Sequence, residues 1–343
     1  MNSLPESRVT PLRGGPALRW GVLAPGAIAR DFVTTLHANT DQRVHAVASR
    51  SSERAATFAA AHGIPRNYDS YDQLVADPDI DVVYVAAPHS EHRALALLAI
   101  AAGKHVLIEK PIALNAREAG DIAAAAASAG VFVMEAMWSR YLPQSDVISQ
   151  LLDDGALGDV RLVSVDLGWK NEYDPTSRMY DPKLGGGAML DAGIYSLWFA
   201  QFVLGAPTAV FATGSLAPTG VDAQTVVALS AANGAQASVS TSILINTPGI
   251  ASIFGTDARL QFDDSFVFSA GFRVISGGSE PSGSDLVWED ASGLRGRDGL
   301  CWQAVALASY VAEGRTQSPV HSLEQSISLM RTIDDVRAQV GAV

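Results

Sequence analysis

Lys110 ends the apolar run Val106-Leu107-Ile108-Glu109 and is followed at once by Pro111. A lysine just past a buried strand lies at the carboxyl edge where open α/β sheets bind ligands, and the proline fixes the backbone behind it. Farther along, Asp191 and Tyr195 follow the glycines Gly185-Gly186-Gly187. Four residues apart on a helix, a carboxylate and a phenol share one face, and the glycines let the backbone pass close to a ligand. An ammonium, a phenol and a carboxylate can take a proton from a hydroxyl, or return it, while its carbon exchanges a hydride. No serine sits in the strand-to-helix elbow used for acyl transfer. The seven histidines and lone Cys301 never cluster at zinc spacing, so no metal is expected.

Hydride exchange needs a carrier, and Gly21-Val22-Leu23-Ala24-Pro25-Gly26-Ala27-Ile28-Ala29 is placed to hold one, where a first strand hands over to a first helix. A dinucleotide pyrophosphate requires close backbone approach and the positive end of a helix. Gly26 takes the position where a side chain would meet the phosphates, and Ala29 the helix-packing position; Ala24 stands where the fingerprint has its first glycine. Ala24, Gly26, Ala27 and Ile28 are the candidate pyrophosphate contacts. The end of the second strand reads Ala48-Ser49-Arg50-Ser51-Ser52, with no carboxylate for a ribose 2′-hydroxyl before Glu53. Ser49, Arg50 and Arg54 instead offer donors suited to a 2′-phosphate. NADP is the expected cofactor, with NAD as the alternative.

Groups so dispersed need a fold to gather them. From residue 18 to about 137, short β-branched runs (18–23, 44–48, 82–86, 106–108, 131–134) alternate with helical stretches (28–37, 53–61, 93–102, 117–127). That alternation means βαβ units and a parallel sheet. Past residue 143 a helix (147–152) leads to a strand (160–168), a polar loop (170–184) and a helix (188–204). Strand-like segments with Gly, Asn and Asp turns fill residues 209–274, and helices are expected near 301–313 and 323–340. The expected organisation is α/β: a flexible tail (1–16), a Rossmann dinucleotide-binding domain (17–140), and an α+β domain with a mostly antiparallel, open-faced sheet (141–343) for substrate binding and oligomerisation. Trp138 and Arg140 leave the last strand of the first domain toward the ligand edge. Lys170, Tyr173, Arg178 and Tyr180 lie in the loop before the glycines, where they can meet substrate hydroxyls.

Composition agrees with this organisation. At ~150 residues per domain, 343 residues make about two domains. The chain is 48% hydrophobic and 17% charged, which supports a large core and excludes intrinsic disorder. A net charge of −12, with no basic patch, argues against a nucleic-acid partner. No uninterrupted apolar run reaches the ~18 residues of a membrane span. A single cysteine, with neither signal nor anchor in the first sixteen residues, leads us to expect a cytoplasmic protein.

Three motifs carry a resemblance. Gly103-Lys104-His105-Val106-Leu107-Ile108-Glu109-Lys110-Pro111 resembles the GKHVLxEKP stretch of the Gfo/Idh/MocA oxidoreductases. Leu184-Gly185-Gly186-Gly187-Ala188-Met189-Leu190-Asp191-Ala192-Gly193-Ile194-Tyr195 resembles their GGGALxDxGxH/Y stretch. Met134-Glu135-Ala136-Met137-Trp138-Ser139-Arg140-Tyr141-Leu142-Pro143 is similar to the MEAMWxRxxP segment of the dihydrodiol and D-xylose dehydrogenase branch. The resemblance covers nearly the whole chain past the tail. Two departures from the commonest pattern, Tyr195 for a histidine and His89 for an asparagine or threonine, suit that branch.

The resemblance implies a nicotinamide cofactor, a sugar, cyclitol or trans-diol substrate, and a homodimer or homotetramer formed through the open sheet. It places Ala87, Pro88, His89, His92, Glu109, Lys110, Trp138 and Arg140 toward the cofactor. It places Lys110, Trp138, Lys170, Arg178, Asp191 and Tyr195 toward the substrate. A phenol near the Lys110 ammonium would titrate below its usual ~10, so Tyr195 is the expected proton acceptor in oxidation and donor in reduction. Lys110 then orients the oxygen, and Asp191 binds a hydroxyl or holds Lys110; Lys110 as the base is the alternative. Two other functions compete: an NAD-dependent glycoside hydrolase working by transient C3 oxidation, and a dinucleotide sensor without turnover.

Overall fold

The computed structural model describes residues 3–277 and 285–343, and the chain divides into two compact units. One comprises Val9–Leu142 with Arg297–Ile327; the other comprises Met1–Arg8, Pro143–Gly296 and Ser328–Val343.

The first unit is built on β1 (Arg19–Leu23), α1 (Ala27–Asn39), β2 (Arg43–Ala48), α2 (Ser52–His62), β3 (Arg66–Tyr68), α3 (Tyr71–Ala76), β4 (Val82–Val85), α4 (His92–Ala101), β5 (His105–Glu109), α5 (Ala116–Ala129) and β6 (Val133–Ala136). Its six strands run parallel in the order β3-β2-β1-β4-β5-β6. Every residue of β4 is buried, as a strand covered on both faces requires. The order reverses between β1 and β4, and ligands of such sheets bind beyond the strand ends there. Ser51 and Asn115 cap α2 and α5 by accepting from Arg54 N–H and Glu118 N–H.

The second unit begins with α6 (Pro143–Asp153) and β7 (Val160–Gly168), then a π-helical turn (Met189–Gly193) running into α7 (Ile194–Leu204). β8 (Ala209–Leu216), β9 (Asp222–Ser230), β10 (Gln236–Ser242), β11 (Ala251–Gly255), β12 (Ala258–Gln261), β13 (Gly271–Ser276) and β14 (Leu286–Glu289) complete an eight-stranded sheet of order β14-β13-β12-β11-β7-β10-β9-β8. All its pairs are antiparallel except β7 with β10. α7 packs on β7, β10 and β11. It buries Ile194, Leu197, Trp198 and Phe199, each contributing about 1.5–3 kcal/mol.

The opposite face of that sheet is open. Strand register aligns Phe211, Ala228, Ser238, Ser164, Ser252, Gln261, Arg273 and Val287 in one row across it. Phe211, Val287 and, two residues off the row, Val226 and Leu162 are exposed there. The stretch Pro182–Leu204 is long and apolar enough to cross a membrane, but 78% of its window is buried in the protein, as expected of a core helix.

Two C-terminal helices follow, α8 (Cys301–Ala312) and α9 (Leu323–Val340). Residues 297–327 were expected in the second domain; they belong to the first unit, because α8 buries most of its surface and packs on α1. Thr35 Oγ1 donates to Asp298 O, and Val133 N–H to Thr316 O, in the same unit. The division between the units falls within α9, between Ile327 and Ser328. The expected flexible tail is likewise tied down. Arg8 N–H donates to Asp146 at 2.7 Å, the Arg13 guanidinium to Ala38 O at 2.7 Å, and Gly14 N–H to Asp41 at 2.7 Å.

Candidate active site

In the first unit, the turn after β1 is shaped as a phosphate cradle. Ala24 has φ +62°, the left-handed region the fingerprint's glycine would occupy, and its N–H donates to Ala48 O. Gly26 caps α1 without a side-chain bond, and no acidic residue stands in the first turn. A Cβ placed on Gly26 would come no nearer than 4.0 Å to another group, the Ala24 carbonyl. Open space above helix N–H groups that no side chain claims suits a pyrophosphate, and Ala24, Gly26, Ala27 and Ile28 converge there.

At the end of β2, Arg50 is exposed, while Ser49 is buried and accepts from Ser51 N–H through its hydroxyl. Tyr71, which sequence reasoning missed, presents its phenol to Arg50. Burial pushes that phenol up, and the guanidinium beside it pulls it back. Arg54 follows in the first turn of α2, exposed. This corner therefore offers two guanidinium groups and a phenol.

Residues beyond β4, β5 and β6 divide into those at the sheet edge and those turned inward. Ala87, Pro88 and His89 follow β4, with His89 edge-on to His92 at 5.7 Å. His92 was expected to touch cofactor; instead it is fully buried, with Nδ1 2.7 Å from Pro111 O and Nε2 2.9 Å from Ala87 O. Both ring nitrogens are thus spent on backbone. Glu109, also expected at the cofactor, is buried and accepts from the Tyr84 hydroxyl, and burial pushes its carboxyl up.

Lys110 comes next, joined to Pro111 by a cis peptide bond. The backbone just after it is held by Glu135, whose Oε1 accepts from Ile112 N–H at 2.8 Å. The other oxygen accepts from Ser326 Oγ at 2.7 Å and lies 3.0 Å from His321 Nε2. Burial alone would push the Glu135 carboxyl up; His321, Ser326 and Ile112 outweigh it and hold it below its usual range. Trp138 is buried, with its ring 3.4 Å from where a Cβ on Gly299 would sit. Arg140 Nε donates to Val320 O at 3.0 Å.

The second unit holds the other chemical groups. Asp191 lies on the π-helical turn and Tyr195 opens α7; both are buried. Extra-wide turns of this kind recur at functional sites. Arg178 Nη1 donates to Asp191 Oδ1 at 3.0 Å, so these two candidates meet. Lys170 does not share that contact; it is exposed and pairs with Glu172 at 3.3 Å. Tyr173 is exposed and edge-on to Tyr180, whose hydroxyl donates to Asn171 O.

The glycines before the turn serve packing. A Cβ on Gly186 would sit 2.8 Å from Met179 O, and one on Gly187 2.4 Å from Asp222 Oδ1. The space expected for a ligand beside these two is filled by the protein. Asp222, at the start of β9, was also missed; nothing in its local sequence marks it. Among the described residues no group of three or more His, Cys, Asp or Glu side chains could hold a metal ion.

A parallel sheet with a phosphate cradle at its switch point, followed by a unit presenting a buried carboxylate and phenol, defines a dinucleotide-binding oxidoreductase. Residues 18–137 match the oxidoreductase family with an NAD-binding Rossmann fold, and residues 147–261 match the GFO/IDH/MocA C-terminal domain. The chain is 34% identical to trans-1,2-dihydrobenzene-1,2-diol dehydrogenase of Mus musculus, covering 95% of this chain and 97% of that one. Aldose-aldose oxidoreductase from Caulobacter crescentus, complexed with glycerol, superposes with a TM-score of 0.82 at 27% identity, covering 94% of this chain and 97% of that one. The 3-ketoreductase KijD10 from Actinomadura kijaniata, in complex with NADP and TDP-benzene, gives 0.79 at 26%, covering 96% and 98%. The protein belongs to the GFO/IDH/MocA oxidoreductase family.

Proposed function

We propose that the protein is an NADP-dependent dehydrogenase that interconverts a secondary alcohol and a ketone, or a hemiacetal and a lactone, on a diol, sugar or cyclitol. The observation that carries this reading is buried Asp191 on a widened turn, with Arg178 on its carboxylate, and buried Tyr195 on the helix that continues the turn. Relatives named for a trans-diol and for aldoses support the substrate class. Bound nicotinamide supplies the hydride acceptor in oxidation and the donor in reduction. Tyr195 takes the hydroxyl proton in oxidation and returns it in reduction. Lys110 orients the reacting oxygen. Asp191, with Arg178 bonded to one oxygen, accepts from a neighbouring hydroxyl, which suits a vicinal diol.

Arg50 supports NADP over NAD, since no carboxylate stands in the run after β2 before Glu53. The sheet face that exposes Phe211, Val226, Leu162 and Val287 is the one we assign to a second copy of the chain. Cys301, buried with its thiol pushed up to about 11, fits a reducing cytoplasm.

The test is absorbance of reduced nicotinamide with trans-diols, aldoses and cyclitols, with NADP and NAD in parallel. Turnover on one of these classes with NADP is the expected result. Cleavage of a chromophoric glycoside without net reduction would replace the dehydrogenase reading by a hydrolase. Arg50→Asp should weaken NADP by at least about tenfold and leave NAD little changed; equal loss for both would remove the 2′-phosphate assignment.

A further inference from the structure

We propose that Asp222 is a positioning residue whose ionised carboxylate holds the turn that carries Asp191, and that leads into the helix of Tyr195, in its productive form. The inference rests on the catalytic reading of that pair. Asp222 is fully buried at the first position of β9, and its Oδ2 accepts from Met189 N–H at 2.6 Å. This amide leads the π-helical turn, whose cap residue Ala188 makes no side-chain bond. Helix-type segments leave their first N–H groups unmet, and here a carboxylate from a distant strand meets one of them, two residues before Asp191. A hydrogen bond to an ionised acceptor is roughly twice as strong as a neutral one.

The other oxygen shows how tightly the carboxylate is seated. Oδ1 is buried without a hydrogen-bond partner among the described residues, against Gly187, whose φ is +119°. A Cβ at Gly187 would lie 2.4 Å from it, so the last glycine of the run and the aspartate fit one another. A neutral amide would satisfy the Met189 contact alone, so the burial of a charge here points to a use for the charge.

Burial pushes the Asp222 carboxyl up to about 6, against the pull of the Met189 N–H bond and of Arg337 on α9. β8 and β10 bring no ionisable side chain, and the turn itself brings only Asp191. The grip is therefore half formed near pH 6, fills in above it and weakens below it.

The experiment compares the wild-type protein with Asp222→Asn, an isostere that cannot ionise. The expected wild-type-to-variant ratio of kcat is about tenfold near pH 8 and falls toward unity below pH 6, while KM for NADP changes less than about twofold. A purely structural role would lower the active fraction by the same factor at every pH. Hydrogen exchange at the Met189 amide reads the same event without turnover: wild-type protection should drop through about pH 6, and the variant should lack that step. A ratio flat between pH 5 and 8, or unchanged Met189 protection, overturns the inference. If the wild type turns over none of the three substrate classes, the functional reading fails, and the Met189 exchange still decides whether Asp222 grips the turn.

Discussion

Two buried carboxylates, one in each unit, hold the backbone beside the candidate groups, and they do so with opposite electrostatics. Around Lys110, both oxygens of Glu135 are met, by Ile112 N–H on one side and by Ser326 and His321 on the other. Around Asp191, only one oxygen of Asp222 is met, and the carboxyl is pushed up rather than held down. The contrast has a thermodynamic sign. A carboxyl held below its usual range contributes stability that is present at neutral pH and lost as pH falls through its folded pKa. A carboxyl raised to about 6 makes stability fall as pH rises from the ordinary carboxylate range to about 6. The lysine is thus held by a group that stabilises the fold when charged, the phenol by one whose charge works against the fold.

The largest effect should come from breaking the fully satisfied grip. Glu135→Ala leaves His321, Ser326 and the Ile112 N–H facing a cavity, and loss of one partner of a buried charged network costs about 3–5 kcal/mol. Calorimetric melting should show the transition of the parallel-sheet unit moving down by several degrees. A shift worth less than about 1 kcal/mol would mean that the backbone after Lys110 does not depend on Glu135.

Next is Lys110 itself. Lys110→Ala should lower turnover by about 100-fold or more, equivalent to about 2.7 kcal/mol of the barrier. Dinucleotide affinity, read by fluorescence titration, should stay within a few-fold, because the pyrophosphate contacts proposed above lie at the β1–α1 turn. Near-normal turnover would take Lys110 out of the chemistry and leave its elaborate support unexplained.

The same contrast decides how much could be read from the residues alone. In the parallel-sheet unit, the candidate groups follow local grammar: strand, turn, helix, with each candidate at a strand end. The places of the β1–α1 turn, Arg50 and Lys110 along the chain were therefore legible, as were both sheets and the antiparallel character of the second. What misled was direction rather than place. His92 and Glu109 lie where expected along the chain, but their side chains turn inward to Pro111 and Ala87 and to Tyr84. Asp222, Tyr71 and Glu135 act through contacts made far along the chain, and no local spacing announces such contacts. The return of residues 297–327 to the first unit escaped notice for the same reason, since an apolar helix does not declare which core it joins.

The smallest expected effect tests strain instead of charge. Ala24 is the one non-glycine with positive φ among the described residues, a conformation that costs an L-residue about 1 kcal/mol. Ala24→Gly removes that cost but gives the unfolded chain more freedom, worth about 0.5–1 kcal/mol in the other direction. The two nearly cancel, so melting should move by less than about 2 °C. Dinucleotide affinity should hold steady or rise a few-fold, because the backbone conformation is already the one a glycine would adopt. If Ala24→Gly instead weakened binding tenfold, the Ala24 methyl would be a ligand contact in its own right. The cradle would then depend on a side chain, as the Asp191 turn does, and the distinction between the two units would narrow.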